Sequence, residues 1–187
     1  MNKAIFLDRD GVINEEVDLL NKPEQLKLIK GSADAIKLLN KDFYVIITTN
    51  QPQIARGLCS EKDIQKINEV LKKELEKYGA RIDGIYYCPH HPEAKIERYR
   101  VDCNCRKPKP GMLIKAEEEL NIDLKQSYMV GDKLSDIEAG RRAGCKTIMV
   151  KTGYGEKELR SNQIECDYVT DDLYDAVEHI LYLCRKL

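Results

Sequence analysis

The sequence predicts an α/β fold: a doubly wound, Rossmann-like parallel sheet with helices on both faces. Three observations carry that expectation. Short, nearly unbroken apolar runs recur at 4–7, 44–48, 82–87, 128–130 and 147–150, and such runs suit strands covered on both faces. Helical patterns alternate with them at 32–40, 61–78, 111–120, 135–143 and 172–183, as the crossovers of a parallel sheet require. The polar motifs sit just after the strands, where doubly wound sheets gather ligands.

In chain order, residues 4–7 are all apolar and run straight into Asp8-Arg9-Asp10-Gly11. The helix at 32–40 leads to a second strand, Tyr44-Val45-Ile46-Ile47 and onward, which ends at Thr49-Asn50. In the helix at 61–78, Ile64, Ile67, Leu71 and Leu75 fall at spacings of three and four. Its Lys72, Lys73, Glu74, Glu76 and Lys77 form a solvated face, with opposite charges near enough to support the helix. After the strand at 82–87 the periodicity stops, and 88–110 reads as an irregular insert. Helix 111–120, strand 128–130, helix 135–143, strand 147–150 and helix 172–183 complete the alternation. A chain of 187 residues with 42% hydrophobic content suits one domain over 1–187 carrying that insert.

Lysine and arginine total 31 against 32 acids, for a formal charge of -1. Global attraction to nucleic acid or acidic membrane is therefore absent, and an anionic ligand must be held by local cations. The apolar run before Asp8 is too short for a signal peptide, and no stretch approaches the roughly 18 apolar residues of a membrane span. We expect a cytoplasmic monomer with neither nucleic-acid nor membrane partners. The seven cysteines lack the dense spacing of a secreted disulfide scaffold. Cys59, Cys145, Cys166 and Cys184 are scattered, as small buried hydrophobes would be. Cys88, Cys103 and Cys105 cluster beside His90 and His91.

Asp8 and Asp10 alone could be a turn whose side chains cap backbone amides. Three further strand ends or loops add company: Thr49-Asn50, Arg106-Lys107, and Gly131-Asp132-Lys133 with Asp136. Phosphate esters repel anionic nucleophiles, so an aspartate nucleophile needs a divalent cation and fixed positive charge around the phosphoryl group. Mg2+ fits carboxylates plus phosphate oxygens. On this reading Asp8 attacks phosphorus, and Asp10 protonates the leaving alcohol and then activates water. Thr49 and Lys107 bind the phosphoryl oxygens. Asp8 and Asp132 ligate Mg2+ through their side chains and a backbone carbonyl near Asp10 supplies another oxygen, the Asp10 side chain staying off the metal. Asn50, Gln51, Arg106 and Lys133 bind substrate. Arg56 either holds a distal phosphate or caps its loop, and Asp136 either serves the metal site or caps its helix.

This set of D-x-D-G, T-N, the lysine of C-R-K-P and G-D-x-x-x-D resembles the haloacid dehalogenase superfamily of aspartate-dependent phosphatases. Phe6 to Gly11, Thr49-Asn50-Gln51, Ile54 to Gly57, Tyr86 to Pro92, Cys103 to Pro108 and Val130 to Lys133 narrow the resemblance to its heptose bisphosphate phosphatases, over roughly residues 3–155. The resemblance implies removal of the 7-phosphate from heptose 1,7-bisphosphate during nucleotide-heptose synthesis for lipopolysaccharide or other surface polysaccharide. Two departures bear on substrate preference. Pro52-Gln53 replace a serine and a glycine, and Leu19 stands where related sequences tend to carry a tyrosine.

Cys88-x-His90 and Cys103-x-Cys105 put three thiolates and an imidazole within 18 residues, a set that suits tetrahedral, structural Zn2+. Reduced loop cysteines are the alternative. The same arrangement in the related insert favours zinc and, of the two imidazoles, His90 over His91. Fixing this loop would fix Arg106 and Lys107, which follow Cys105 directly. His179 reads as a surface or packing residue. A histidinol-phosphate phosphatase is the nearest enzymatic rival, but the 12 residues between His90 and Cys103 exceed the spacing in that group. A non-enzymatic, zinc-stabilised binding module would need neither the paired aspartates nor Lys107.

Overall fold

Among the described residues six strands form, five of them at the apolar runs and the sixth beyond them: β1 Ala4–Leu7, β2 Tyr44–Asn50, β3 Gly84–Cys88, β4 Tyr128–Gly131, β5 Lys146–Val150 and β6 Tyr168–Thr170. In the computed structural model, which describes residues 1–186, all neighbours pair in parallel in the order β3-β2-β1-β4-β5-β6. β1 is central, with Phe6 registered on Ile46 of β2 and Met129 of β4.

The period-two alternation of the strands divides the interior. Ile5, Leu7, Val45, Ile47, Val130 and Ile148 face one core, where they meet Ile36 and Leu39 of α1 (Ser32–Leu39) and Val177 and Ile180 of α7 (Leu173–Cys184). Ala4, Phe6, Ile46 and Met129 face the opposite core, against Leu113 and Ala116 of α4 (Gly111–Leu120) and Ala139 of α5 (Leu134–Ala143). Helices thus cover both faces, as the unbroken apolar strands require. A third cluster joins Ile54 of the short α2 (Pro52–Ala55) and Ile64 and Ile67 of α3 (Glu61–Glu76) to Ala94 and Tyr99 of the insert. α3 serves two cores, since its Leu71 and Leu75 belong to the first.

Ser60 starts α3 with a capping box: Asp63 N donates to its hydroxyl at 3.2 Å, and its own N donates to Asp63 Oδ2 at 2.9 Å. The helix ends at Glu76, short of the expected 78, and Gly79 turns the chain with φ 74°. Three elements carry no clear periodic signal. β6 is a three-residue edge strand with Val169 45% exposed, α2 is only four residues long, and α6 (Gly155–Ser161) buries only Gly155. Among the described residues, no helix is long and apolar enough to cross a membrane.

Candidate active site

The central position of β1 determines where the site lies. Chain continuation runs to β2 on one side and later to β4 on the other, so the crevice at the carboxyl end of β1 is a topological switch point. Asp8 N still donates to Val130 O at 3.0 Å, which carries the ladder up to the first carboxylate. Asp8, Asp132 and Asp136 gather there, each offering an oxygen within 4.8 Å of the others.

Lys107 reaches this carboxylate group from the insert. Its Nζ lies 2.6 Å from Asp136 Oδ1 and 3.1 Å from Asp8 Oδ1, and donates to Thr48 O at 2.6 Å. Burial alone would lower the Lys107 pKa, but Asp136 and Asp8 outweigh it and the net shift is upward. Lys107 is positioned by its backbone as well: its N donates to Asn50 Oδ1, and Asn50 Nδ2 donates to its carbonyl, both at 3.1 Å. The end of β2 thereby fixes the entry of the lysine.

Asp132 is wholly buried between two glycine turns. A Cβ at Gly11 (φ 86°) or Gly153 (φ 58°) would collide with its carboxylate, so both the close approach and the left-handed backbone demand glycine. Tyr154 N donates to Asp132 Oδ2 at 2.8 Å, while buried Oδ1 has no hydrogen-bond partner. Burial pushes Asp132 up to about 8, and neighbouring Asp8 and Asp136 add to the shift. An orphaned buried carboxylate oxygen beside two more carboxylates is a donor set that fits a hard divalent cation such as Mg2+.

Asp10 has different surroundings. Its Oδ1 accepts from Asn14 Nδ2 at 2.8 Å, and its Oδ2 accepts from Arg9 Nη2 at 2.9 Å and from Gln51 Nε2 at 3.1 Å. Burial would raise its pKa, but Arg9, with the Asn14 and Gln51 bonds, holds it below the ordinary carboxylate value. Its side chain therefore stands apart from the three-carboxylate cluster, in contrast to a simple D-x-D metal pair.

Gln51 also departs from the expected contact with substrate. It is fully buried and donates to Asp10 and, at 2.9 Å, to the Thr49 hydroxyl, so it supports those two side chains from behind. Arg56 lies exposed on the turn after α2, outside the cavity walls. Thr49, Asn50, Arg106, Lys107 and Lys133 do line one cavity of about 260 Å³ with Asp8, Asp10 and Asp136. Lys133 Nζ stands 3.0 Å from Glu16 Oε2, 3.6 Å from Asp132 Oδ1 and 3.9 Å from Asp8 Oδ2. Burial would lower Lys133, yet these carboxylates raise it.

Arg9 and Tyr154 were not singled out from sequence, whereas Glu16 and Asp18 belong to the segment around Leu19 whose departure bears on substrate preference. Arg9 had a readable signal, a guanidinium between two carboxylates directly after a buried strand. Tyr154 had none, because its partner Asp18 is 136 positions away.

In the insert, Cys88, His90, Cys103 and Cys105 offer ligand atoms within 4.8 Å of one another. Cys103 Sγ lies 3.5 Å from Cys88 Sγ and 3.3 Å from Cys105 Sγ, and His90 Nδ1 lies 3.8 Å from Cys88 and 3.6 Å from Cys105. Tetrahedral Zn–S bonds of about 2.3 Å imply sulfur–sulfur edges of about 3.8 Å, so this set, a few tenths of an ångström tighter, fits zinc. The bond from Cys88 pulls the Cys105 thiol down to about 5, and the same bond together with burial pushes Cys88 up. His91 is elsewhere, its Nδ1 accepting from Glu93 N at 3.1 Å. Arg106 Nη1 donates to His90 O at 3.0 Å, which ties the cation to the cluster. His179 packs its ring 4.1 Å from that of Tyr168, remote from both groups.

A HAD-hydrolase-like family model matches residues 104–176. The D-glycero-beta-D-manno-heptose-1,7-bisphosphate 7-phosphatase of Pasteurella multocida is 46% identical over 94% of this chain and 95% of its own. The enzyme of that name from Escherichia coli strain K12 is 44% identical over 95% and 93%. A crystal structure of D,D-heptose 1,7-bisphosphate phosphatase from B. bronchiseptica, complexed with magnesium and phosphate, superposes with a TM-score of 0.89 at 35% identity, covering 97% of this chain and 99% of that one. Identity at this level over nearly the whole chain places the protein in the D-glycero-beta-D-manno-heptose-1,7-bisphosphate 7-phosphatase family of haloacid dehalogenase-like hydrolases.

Proposed function

We propose that this chain, acting as one domain, is a Mg2+-dependent phosphoric monoester hydrolase that removes the 7-phosphate of D-glycero-D-manno-heptose 1,7-bisphosphate. The observation that carries the reading is the meeting of Asp8, Asp132 and Asp136 with the buried ammonium of Lys107. The names of the relatives support the substrate. Bound Mg2+, held by Asp8 and Asp132 with Asp136 beside them, supplies charge neutralisation for an incoming phosphate.

The chain's own groups account for the rest. Asp8 Oδ1 is held by Arg9 N at 2.8 Å and by Lys107, which leaves Oδ2 as the attacking oxygen. Attack forms an Asp8–phosphorus bond as the ester oxygen departs. Lys107 and Thr49 hold the phosphoryl oxygens during that transfer. Asp10 enters ionised in the free site, and an arriving phosphate dianion raises its proton affinity. Protonated Asp10 gives its proton to the leaving alcohol. The carboxylate that remains takes a proton from the water that cleaves the aspartyl phosphate, and the cycle closes. Asn50, Arg106 and Lys133 contact substrate around the pocket. Zn2+ held by Cys88, His90, Cys103 and Cys105 is structural, since four protein ligands leave no open position. Seven free cysteines support a reducing, cytoplasmic setting.

Phosphate release from heptose 1,7-bisphosphate, histidinol phosphate and an aryl phosphate tests the substrate, and turnover of histidinol phosphate alone would overturn it. Asp8→Asn tests the mechanism: release should fall by about 10³-fold or more with the thermal unfolding transition retained. Activity within about tenfold of the unaltered chain would remove Asp8 as nucleophile.

A further inference from the structure

One side of the pocket mouth is built by two segments distant in the chain, residues 15–20 after the Asp10 turn and residues 151–155 after β5. Five contacts join them to each other and to the site. The Tyr154 hydroxyl donates to Asp18 Oδ1. Lys133 Nζ pairs with Glu16 at 3.0 Å and stands 5.0 Å from the centroid of the Tyr154 ring. Tyr154 N donates to Asp132 Oδ2 at 2.8 Å, and the Thr152 hydroxyl donates to Gly11 O at 2.6 Å.

The second segment is therefore anchored on the catalytic centre; the first is held at its ends, where Glu15 O accepts from Asn14 Nδ2 at 3.0 Å and Leu20 O from Gln53 Nε2 at 2.8 Å, and between them Glu16 and Asp18 reach the site and the second segment through side chains. Asp18 adopts φ 61°, in the left-handed region that aspartate enters more readily than most non-glycine residues. The Tyr154 hydroxyl is the group that engages its carboxylate. Glu16, Asp18 and Tyr154 all line the cavity that holds Thr49 and Lys107, and Arg106 also lines it. The pocket is thus polarised. The carboxylate oxygens accept hydrogen bonds from alcohols and repel a second phosphate, which Arg106 attracts.

The geometry points to Tyr154 as a specificity-determining residue: by latching Asp18, it fixes residues 15–20 as the wall that receives the hydroxyl-bearing side of a phosphorylated sugar. This rests on the phosphatase reading above. The latch acts on a substrate with several hydroxyls and has little hold on an ester without them, so it governs the ratio of kcat/KM on a sugar phosphate to kcat/KM on an aryl phosphate.

The test is that ratio in the full-length protein. Tyr154→Phe removes only the hydroxyl and should lower the ratio about tenfold through the KM of the sugar substrate. Asp18→Ala should reproduce the fall and serves as the second variant should Tyr154→Phe not fold. Asp18→Asn keeps an acceptor oxygen and should return the ratio to within about threefold of the unaltered chain. A ratio that stays within about threefold in both Tyr154→Phe and Asp18→Ala, or a fall carried wholly by kcat, overturns the latch. If the unaltered chain ignores heptose 1,7-bisphosphate, the substrate assignment fails separately, and the same ratio is then read with fructose 1,6-bisphosphate.

Discussion

Arg9 shows how a residue can matter without meeting a ligand. It is 0% exposed, and its guanidinium bonds Asp10, Gln51 Oε1 at 2.8 Å and Asn68 Oδ1 at 3.1 Å. A cation taken fully out of water persists only when it is paired and hydrogen-bonded, and removing one partner leaves the other charge uncompensated. Arg9→Met should therefore cost about 3–5 kcal/mol in urea-measured stability, and its kcat should fall as Asp10 loses its fixed position. Stability within about 0.5 kcal/mol of the unaltered chain would show that Asp10 is held by Asn14 and Gln51 instead. Asp8, Thr49, Lys107 and Asp132 were legible because each is a polar residue at the end of an apolar strand or beside a cysteine pair. Arg9 and Gln51 were harder to assign, because their side chains turn inward and support neighbours. Asp10 was read as a proton carrier whose side chain stays off the metal, and Arg9, Asn14 and Gln51 hold its carboxylate outside the three-carboxylate cluster.

Among the elements, the insert between β3 and α4 joins the Cys88, His90, Cys103 and Cys105 cluster to Lys107. It leaves the sheet at Cys88 and returns at Cys103 and Cys105, and Lys107 emerges two residues later against the Asn50 side chain. With zinc held there as proposed, its loss would free one end of that path. Cys103→Ser should lower zinc content, measured by elemental analysis, and reduce phosphate release about 10–100-fold in parallel; a zinc-free variant with full turnover would separate the two. The insert was recognised in sequence by its broken periodicity and paired ligand spacing. Its packing through Ala94 and Tyr99 onto Ile64 and Ile67 was not, since an irregular loop has no period from which to read its inward face. The brief β6 and α6 escaped for a related reason: too few of their residues are buried to leave a pattern.

The formal charge of the whole molecule is only -1, so stability against acid depends on particular carboxylates more than on global repulsion. Glu61 is one of these. Tyr99 and Tyr87 donate to it at 2.7 and 2.9 Å, and these bonds outweigh burial to hold it below its ordinary value of 4.5. A depressed carboxylate stabilises the fold above its unfolded pKa, and that stabilisation is lost as pH falls through the lower, folded pKa. Urea unfolding between pH 7 and pH 3 should show a shallower acid loss in Glu61→Gln than in the unaltered chain, and equal slopes would remove Glu61 from this role. The sheet order has a consequence for how the molecule comes to be made. β1 is synthesised first, yet Ile5 must wait for Tyr128 before its second edge is paired. A ribosome-bound chain lacking β4 also lacks Asp132, so the opening D-x-D segment emerges long before it can work. Phosphatase activity should therefore appear only after nearly three-quarters of translation, as one of the last properties the nascent chain acquires.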